Sequence, residues 1–478
     1  MIPPPLPVAA LGIDDVLAHI DDHLEAHLSA LEDLVRIPSI SGEPAHRDDL
    51  STSAIACARL LRQAGLDDVE VVRADGGAPA VLGRAAGVDP QAPTVLLYAH
   101  HDVQPVGPGW SRAPFDPSRE DGRCYGRGIA DDKAGVMVHV AAIAAWVATR
   151  GAPPVHVAVL FEGEEEIGSP TLPALLATHR DRIDADALVA CDGLNHGVGT
   201  PSLTCFLRGR VDAEITLAAT RTDVHSGVVG GLVRDPLLAL CQVLASCVDQ
   251  QGEIAIDGFA DDAHRPTAAE RARLTELGFD EPSWREDVGV HDGVVLGGGD
   301  RHPLEALWLR PALSVEGIDA PSVEGSASIQ VAAARARISV RLAPGQSPSR
   351  ARDALVRHLT AAVPWGLTAE VIPGDALPPF RCDPATRPAR ATLDALSAGY
   401  GVPAVATGVG GSIPFVAQAA EALGGIPALI TAVADPRTNA HGPDESLEVA
   451  GFRGACRAEA VLLATIGAAL HAEGGRER

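Results

Sequence analysis

One stretch constrains this chain more than any other: Leu96-Leu97-Tyr98-Ala99-His100-His101-Asp102-Val103-Gln104-Pro105-Val106-Gly107, an apolar run that ends abruptly in imidazole and carboxylate. A continuous hydrophobic run of this length is what a strand buried on both faces of a parallel sheet requires. Ligands of open α/β sheets collect where such strands leave the sheet. A His-x-Asp at that edge suggests metal ligation by His100, with Asp102 behind it holding the imidazole tautomer. A hydrogen-bonded loop histidine is the plain alternative, so the choice falls to what the other strand ends carry.

Val155 to Phe161 reads as a second buried strand, and it runs into Glu162-Gly163-Glu164-Glu165-Glu166-Ile167-Gly168-Ser169. Carboxylates crowded at a strand end repel one another, a cost a fold bears where a cation or a proton relieves it. Ala187 to Cys191 delivers Asp192 in the same manner. The turn Gly126-Arg127-Gly128-Ile129-Ala130-Asp131-Asp132-Lys133 opens an apolar helix over Val136 to Val147, and its two aspartates serve equally well as helix caps. It is not a phosphate loop, because no GxxxxGK[ST] is present. Near the C-terminus, Ala428 to Val433 ends in Asp435, and a loop containing His441 leads to an amphipathic helix, Val449 to Leu470. The turn Gly408-Val409-Gly410-Gly411-Ser412-Ile413-Pro414 is either a tight connection or a backbone cradle for an anion.

Helical and strand patterns alternate through the first two hundred residues, which predicts an α/β fold with a largely parallel central sheet flanked by helices. Ile13 to Val35 has helical spacing throughout; His19, His23 and His27 lie on its other face and read as hydrated surface. After Asp192 the character changes: Arg208 to Ala219 and Ala332 to Leu342, the latter carrying Arg341, alternate like half-exposed antiparallel strands. We therefore expect a catalytic domain in two parts, 1–206 and 374–478, interrupted by an inserted α+β domain at 207–373. Two domains suit a chain of 478 residues.

A formal charge of −25 argues against nucleic-acid or anionic-membrane partners, which need a basic face. No apolar run approaches bilayer length, and the proline-rich start, Met1 to Leu11, lacks the pattern of a signal peptide. Eight scattered cysteines without Cys-x-x-Cys predict free thiols and a cytoplasmic location.

His100, Asp131, Glu165, Glu166, Asp192 and His441 together are imidazoles and carboxylates that each follow an apolar strand or lie at a strand-to-helix turn. Oxygen and nitrogen donors without cysteine suit zinc, manganese or cobalt, and a carboxylate bridging two ions accounts for the number of acids. Paired ions hold a hydroxide, polarise a carbonyl and stabilise the oxyanion, while a spare glutamate moves the proton.

In this order the motifs resemble those of the M20 metallopeptidases, and among them the dipeptidase branch with carnosinase-like enzymes. The resemblance rests on His100 to Pro105, Gly126 to Lys133, Glu162 to Ser169, His225-Ser226-Gly227, Gly410 to Pro414 and His441, spread over nearly the whole chain. It implies one ion held by His100, Asp131 and Asp192 and a second by Asp131, Glu166 and His441, with zinc the expected metal. It also implies Glu165 as general base, Asp102 orienting His100, and His225 reaching a partner subunit's site to stabilise the oxyanion. Arg341 and the backbone of Gly410, Gly411 and Ser412 resemble a clamp for the substrate's terminal carboxylate. The inserted domain is then a lid and a homodimer surface, and the activity is hydrolysis of dipeptides or short peptides. Carnosinase-like members carry Arg-Glu before the Gly-Gly turn, where this chain has Gly408-Val409. Rival readings are an N-acyl amino acid deacylase or desuccinylase of the same fold, and a catalytically silent, metal-stabilised dimer that binds peptides. The absence of Gly-x-Ser-x-Gly disfavours serine-hydrolase chemistry.

Overall fold

The computed structural model describes residues 11–411 and 413–471. Residues 1–10, most of the proline-rich start, and Ser412 of the expected clamp lie outside the described residues. The chain forms two compact units, one of residues 1–205, 382–407 and 414–478, the other of residues 206–381 and 408–413.

The first unit is built on a mixed sheet. In spatial order seven of its nine strands are Asp68–Arg73, Pro79–Ala85, His156–Glu162, Thr94–His100, Ala187–Leu194, Ala428–Ala434 and Ser202–Leu207. Only the three central pairings are parallel. The flanking ones are antiparallel, so the sheet is less parallel than the sequence pattern implies. The cause on one side is plain: the link 74–78 is too short for a crossover, and a short link returns the chain antiparallel. The four central strands are almost wholly apolar and buried, as a sheet covered on both faces demands. Helix Lys133–Arg150 is buried along nearly its full length against them, and helix Val449–His471 buries much of its surface in the same core.

Register sets the site. In the parallel pairing of Thr94–His100 with His156–Glu162, His100 lies opposite Glu162. Tyr98 pairs with Ala190, so Asp192, two residues on, falls level with His100. Imidazole and carboxylate therefore reach the same carboxyl edge by strand pairing alone.

The N-terminal helical pattern is interrupted. It forms helices Asp14–Asp22 and Leu24–Val35, with a one-residue turn at His23, whose ring Nδ1 lies 2.8 Å from the His19 carbonyl and competes for it with the backbone ladder. Lys133 fastens the second helix. Its ammonium, buried at the start of the 133–150 helix, donates to the carbonyls of Leu34 (2.8 Å) and Ile37 (2.7 Å), and burial pulls its pKa down to about 8. Lys133→Met takes the ammonium away from both carbonyls, each of which keeps one backbone donor (Ile37 N–H on Leu34 at 3.1 Å, Ser39 N–H on Ile37 at 2.8 Å), and is expected to cost about 1–3 kcal/mol. A lowered urea midpoint at unchanged slope would report it, and an unchanged midpoint would refute it.

The second unit is antiparallel, with strands in the order Ala312–Asp319, Ala333–Leu342, Gly209–Ala218 and Thr368–Leu377. Inward residues Val211, Ala213, Ile215 and Leu217 alternate along one strand, and Ala334, Ala336, Ile338 and Val340 along the next. Helices Pro236–Ser246 and Pro348–Ala361 cover that face with Leu240, Val243 and Leu355. The strand Ala312–Asp319 has no counterpart in the sequence reading. It lies at the edge, mostly exposed, and an irregularity between Val315 and Gly317 breaks its alternation.

Candidate metal centre

At the carboxyl edge of the first unit's sheet, two groups of three residues bring ligand atoms within 4.8 Å of one another: His100, Asp131 and Asp192, and Asp131, Glu166 and His441. Asp131 belongs to both, and its two oxygens are divided between them. Oδ1 lies 3.1 Å from His100 Nε2 and Oδ2 lies 2.9 Å from His441 Nε2. His100 Nε2 is 3.8 Å from Asp192 Oδ1, and His441 Nε2 is 3.2 Å from Glu166 Oε2. Donors bound tetrahedrally to zinc lie roughly 3.3 Å apart, so this set has the spacing of ligands around an ion. Its chemistry, imidazole nitrogen and carboxylate oxygen without thiolate, fits the same class of metal.

His100 and Glu166 are held from behind. His100 is fully buried, with Nδ1 at 3.1 Å from the Asp102 carbonyl and 3.4 Å from its Oδ1. The Asp102 carboxylate has a further task that the sequence does not announce, accepting the backbone N–H groups of Glu165 (3.3 Å) and Glu166 (3.1 Å). It thereby fixes the short 3-10 turn Glu165–Ile167 against the His100 strand. Gln104 donates to Glu166 Oε2 at 2.8 Å. Asp132, in N-cap position on helix Lys133–Arg150, makes no side-chain cap bond, and its carboxylate accepts the His100 backbone N–H at 3.2 Å.

The run of four glutamates separates by role. Glu162 accepts from the Tyr98 hydroxyl at 2.9 Å, and burial pushes it up to about 7. Glu164 accepts the backbone N–H groups of Ala78 and Thr171, which is structural work. Glu166 joins the second ligand group, and Glu165 beside it belongs to neither.

Charge crowding shifts the acidities of the site's groups. Burial, with Asp132 and Asp131 nearby, raises the Asp192 carboxyl well above its ordinary range. Burial also raises Glu165, against the pull of His100 and with the push of Asp192 and Glu166. For His100, burial alone would favour the neutral ring, but hydrogen bonds to Asp102 and Asp131 outweigh it and hold the ring protonated. Hydrogen bonds to Asp131 and Glu166 lift His441 to about 10. In the metal-free protein, protons on the two imidazoles thus offset the carboxylates, the work a divalent ion does when it displaces them.

The remaining residues singled out by sequence lie in the second unit. His225 is exposed, and its Nδ1 accepts the Gly227 N–H at 3.0 Å, which assigns the ring proton to Nε2. Arg341 stands on the strand Ala333–Leu342 opposite Arg210, and burial followed by that neighbour lowers its pKa. Near the Gly-Gly turn the sequence reading overlooks Arg208, whose Nε donates to the Gly410 carbonyl at 3.0 Å. A Cβ on Gly410 would come within 2.9 Å of the same guanidinium, so the arginine's end would have to shift. Gly411 accepts the Arg208 backbone N–H at 3.1 Å.

His19, His23 and His27 form no ligand group among the described residues, and the first two rings stack at 3.9 Å.

A sequence profile described as Peptidase family M20/M25/M40 matches residues 96–465. The chain is 31% identical over 442 residues to a cysteinylglycine-S-conjugate dipeptidase of Corynebacterium striatum, covering 91% of this chain and 94% of that one. Among solved structures it is similar to the di-peptidase Dug1p of Saccharomyces cerevisiae, with a TM-score of 0.81 and 27% identity over 96% of this chain and 99% of that one. It is also similar to human carnosine dipeptidase 1, with a TM-score of 0.80 and 25% identity over 97% and 100% of the two chains.

Proposed function

The chain belongs to peptidase family M20/M25/M40, and from that premise we propose that it is a metallodipeptidase working with two divalent ions, zinc for preference, held by His100, Asp131 and Asp192 and by Asp131, Glu166 and His441. The observation that carries the reading is the division of Asp131, one oxygen toward each imidazole. The bound pair would polarise the scissile carbonyl and make a water acidic enough to lose a proton near neutral pH.

The protein's own groups do the rest. Glu165, outside both ligand groups and raised by its surroundings, takes the water's proton and passes it to the leaving amine. Asp102 keeps the Glu165 turn and His100 in fixed relation. His225, with its proton on Nε2, is suited to donate to the developing oxyanion, and we assign it that role across a homodimer whose interface lies in the lid domain at 207–373. Arg341 and the turn at Gly410, Gly411 and Ser412 take the terminal carboxylate, with Arg208 holding the turn. The eight scattered cysteines, with no Cys-x-x-Cys among them, suit a cytoplasmic site of action; no helix among the described residues is long and apolar enough to cross a membrane.

A panel of substrates tests the reading. Dipeptides with a free N-terminus are expected to be hydrolysed at least tenfold faster than N-acyl amino acids by the metal-loaded protein. Activity on the acylated compounds alone would make it a deacylase. The relatives' names supply the first compounds to try, cysteinylglycine and β-alanylhistidine. Gly408-Val409 makes the second the less expected of the two.

A further inference from the structure

Behind the two ligand groups lies a buried ion pair that no step of the mechanism uses. Arg127 (1% exposed) donates through Nη1 to Glu445 (0% exposed) at 2.7 Å. The other guanidinium arm donates to the carbonyls of His441 at 2.9 Å and Gly442 at 3.3 Å. The Glu445 carboxylate in turn accepts the backbone N–H groups of Gly128 at 3.0 Å and of Ala130 and Asp131 at 3.1 Å each. Thus each member of the pair sits on one ligand-bearing loop and grips the backbone of the other, at the residues that carry Asp131 and His441.

Burying an arginine and a glutamate is a poor way to gain stability, because desolvation consumes most of the Coulombic gain. What the pair does supply is direction. Apart from their bond to each other, the side-chain bonds given above all end on backbone atoms of residues 128–131 or 441–442. His441 itself has a left-handed backbone, φ +63°, which an unbranched loop would leave readily unless its carbonyl were held.

We propose that Arg127 and Glu445 are positioning residues that lock the Asp131 loop to the His441 loop, and so set the affinity of the outer ion, the one assigned to Asp131, Glu166 and His441. The inference rests on the two-ion reading above. Glu445→Gln presents an amide N–H₂ to groups that are themselves donors, so it breaks part of the lock at unchanged volume. Arg127→Lys keeps the charge beside Glu445 but gives up the arm on the His441 and Gly442 carbonyls.

The test is a Co²⁺ titration of metal-free protein followed by visible absorption, with His441→Ala identifying which binding phase is the outer ion. Both variants are expected to bind that ion roughly 10–100-fold more weakly, with the inner ion changed by no more than a few-fold and the unfolding midpoint of the metal-free protein still above the assay temperature. Wild-type affinity for both ions, or an equal weakening of both, overturns the proposal. If Glu445→Gln fails to fold, Arg127→Lys decides; if neither folds, the pair serves the fold and not the site, and the proposal falls. Wild-type protein that takes up fewer than two ions refutes the two-ion reading itself, a result separate from any behaviour of the variants.

Discussion

Glu165→Gln is expected to lower turnover of a good dipeptide substrate by roughly 10²–10⁴-fold, the range for removal of a general base, while the protein still takes up two ions. Glu165 and Glu166 are neighbours on one short turn, yet only Glu166 enters a ligand group, so a change at 165 separates proton transfer from metal binding. The amide is nearly isosteric and leaves the backbone N–H of residue 165 on Asp102, so the turn is kept. Elemental analysis beside steady-state kinetics checks both halves. A variant that retains activity removes Glu165 from the mechanism; one that loses an ion makes it a ligand. A silent peptide-binding dimer predicts a third result, no turnover in the wild type to lose.

The expected loss differs sharply from that of Glu164, the adjacent carboxylate in the same acidic run, and the contrast shows where sequence reading stops. Four glutamates after an apolar strand announce a site, but their partners are what sort them: a tyrosine hydroxyl for Glu162, the Ala78 and Thr171 amides for Glu164. Those partners lie on other strands or across a loop, and no spacing rule reaches them. Strand ends were legible because a both-faces-buried strand has to be apolar to its last residue, and Thr94–His100 ends at the histidine as the pattern implies. Asp131 was ambiguous between helix cap and ligand. The fold turns its carboxylate away from the helix and onto two imidazoles, leaving Asp132 in the cap position. Nothing in the sequence announces Arg127 and Glu445 as a pair, since each acquires its role only from a residue more than three hundred positions away. The edge strand Ala312–Asp319 was missed for the opposite reason. With little to bury, it has no reason to be written as a strand in apolar residues.

Asp131→Asn is expected to have the broadest effect of any single change, because one carboxylate serves both ligand groups. The amide keeps one oxygen donor and replaces the other by N–H₂, which no cation accepts. Whichever way it turns, one group of three loses a ligand and the other retains a weaker, neutral one. Metal content should fall from two ions to one or fewer, and activity by roughly 10³-fold or more. Stability supplies a second readout that does not depend on turnover. An ion that binds only the folded state adds about 2.7 kcal/mol at a free concentration a hundred times its Kd, so the wild type should unfold at a higher temperature with metal than after chelation. In Asp131→Asn that gap should narrow markedly, because at most one weakly held ion remains to stabilise the fold. The metal-free variant should fold nonetheless, since His100 keeps its contacts with Asp102 and the backbone of residue 131 still donates to Glu445. If Asp131→Asn instead holds two ions with wild-type affinity, the shared carboxylate is not what joins the groups, and the dinuclear hydrolase reading loses its centre.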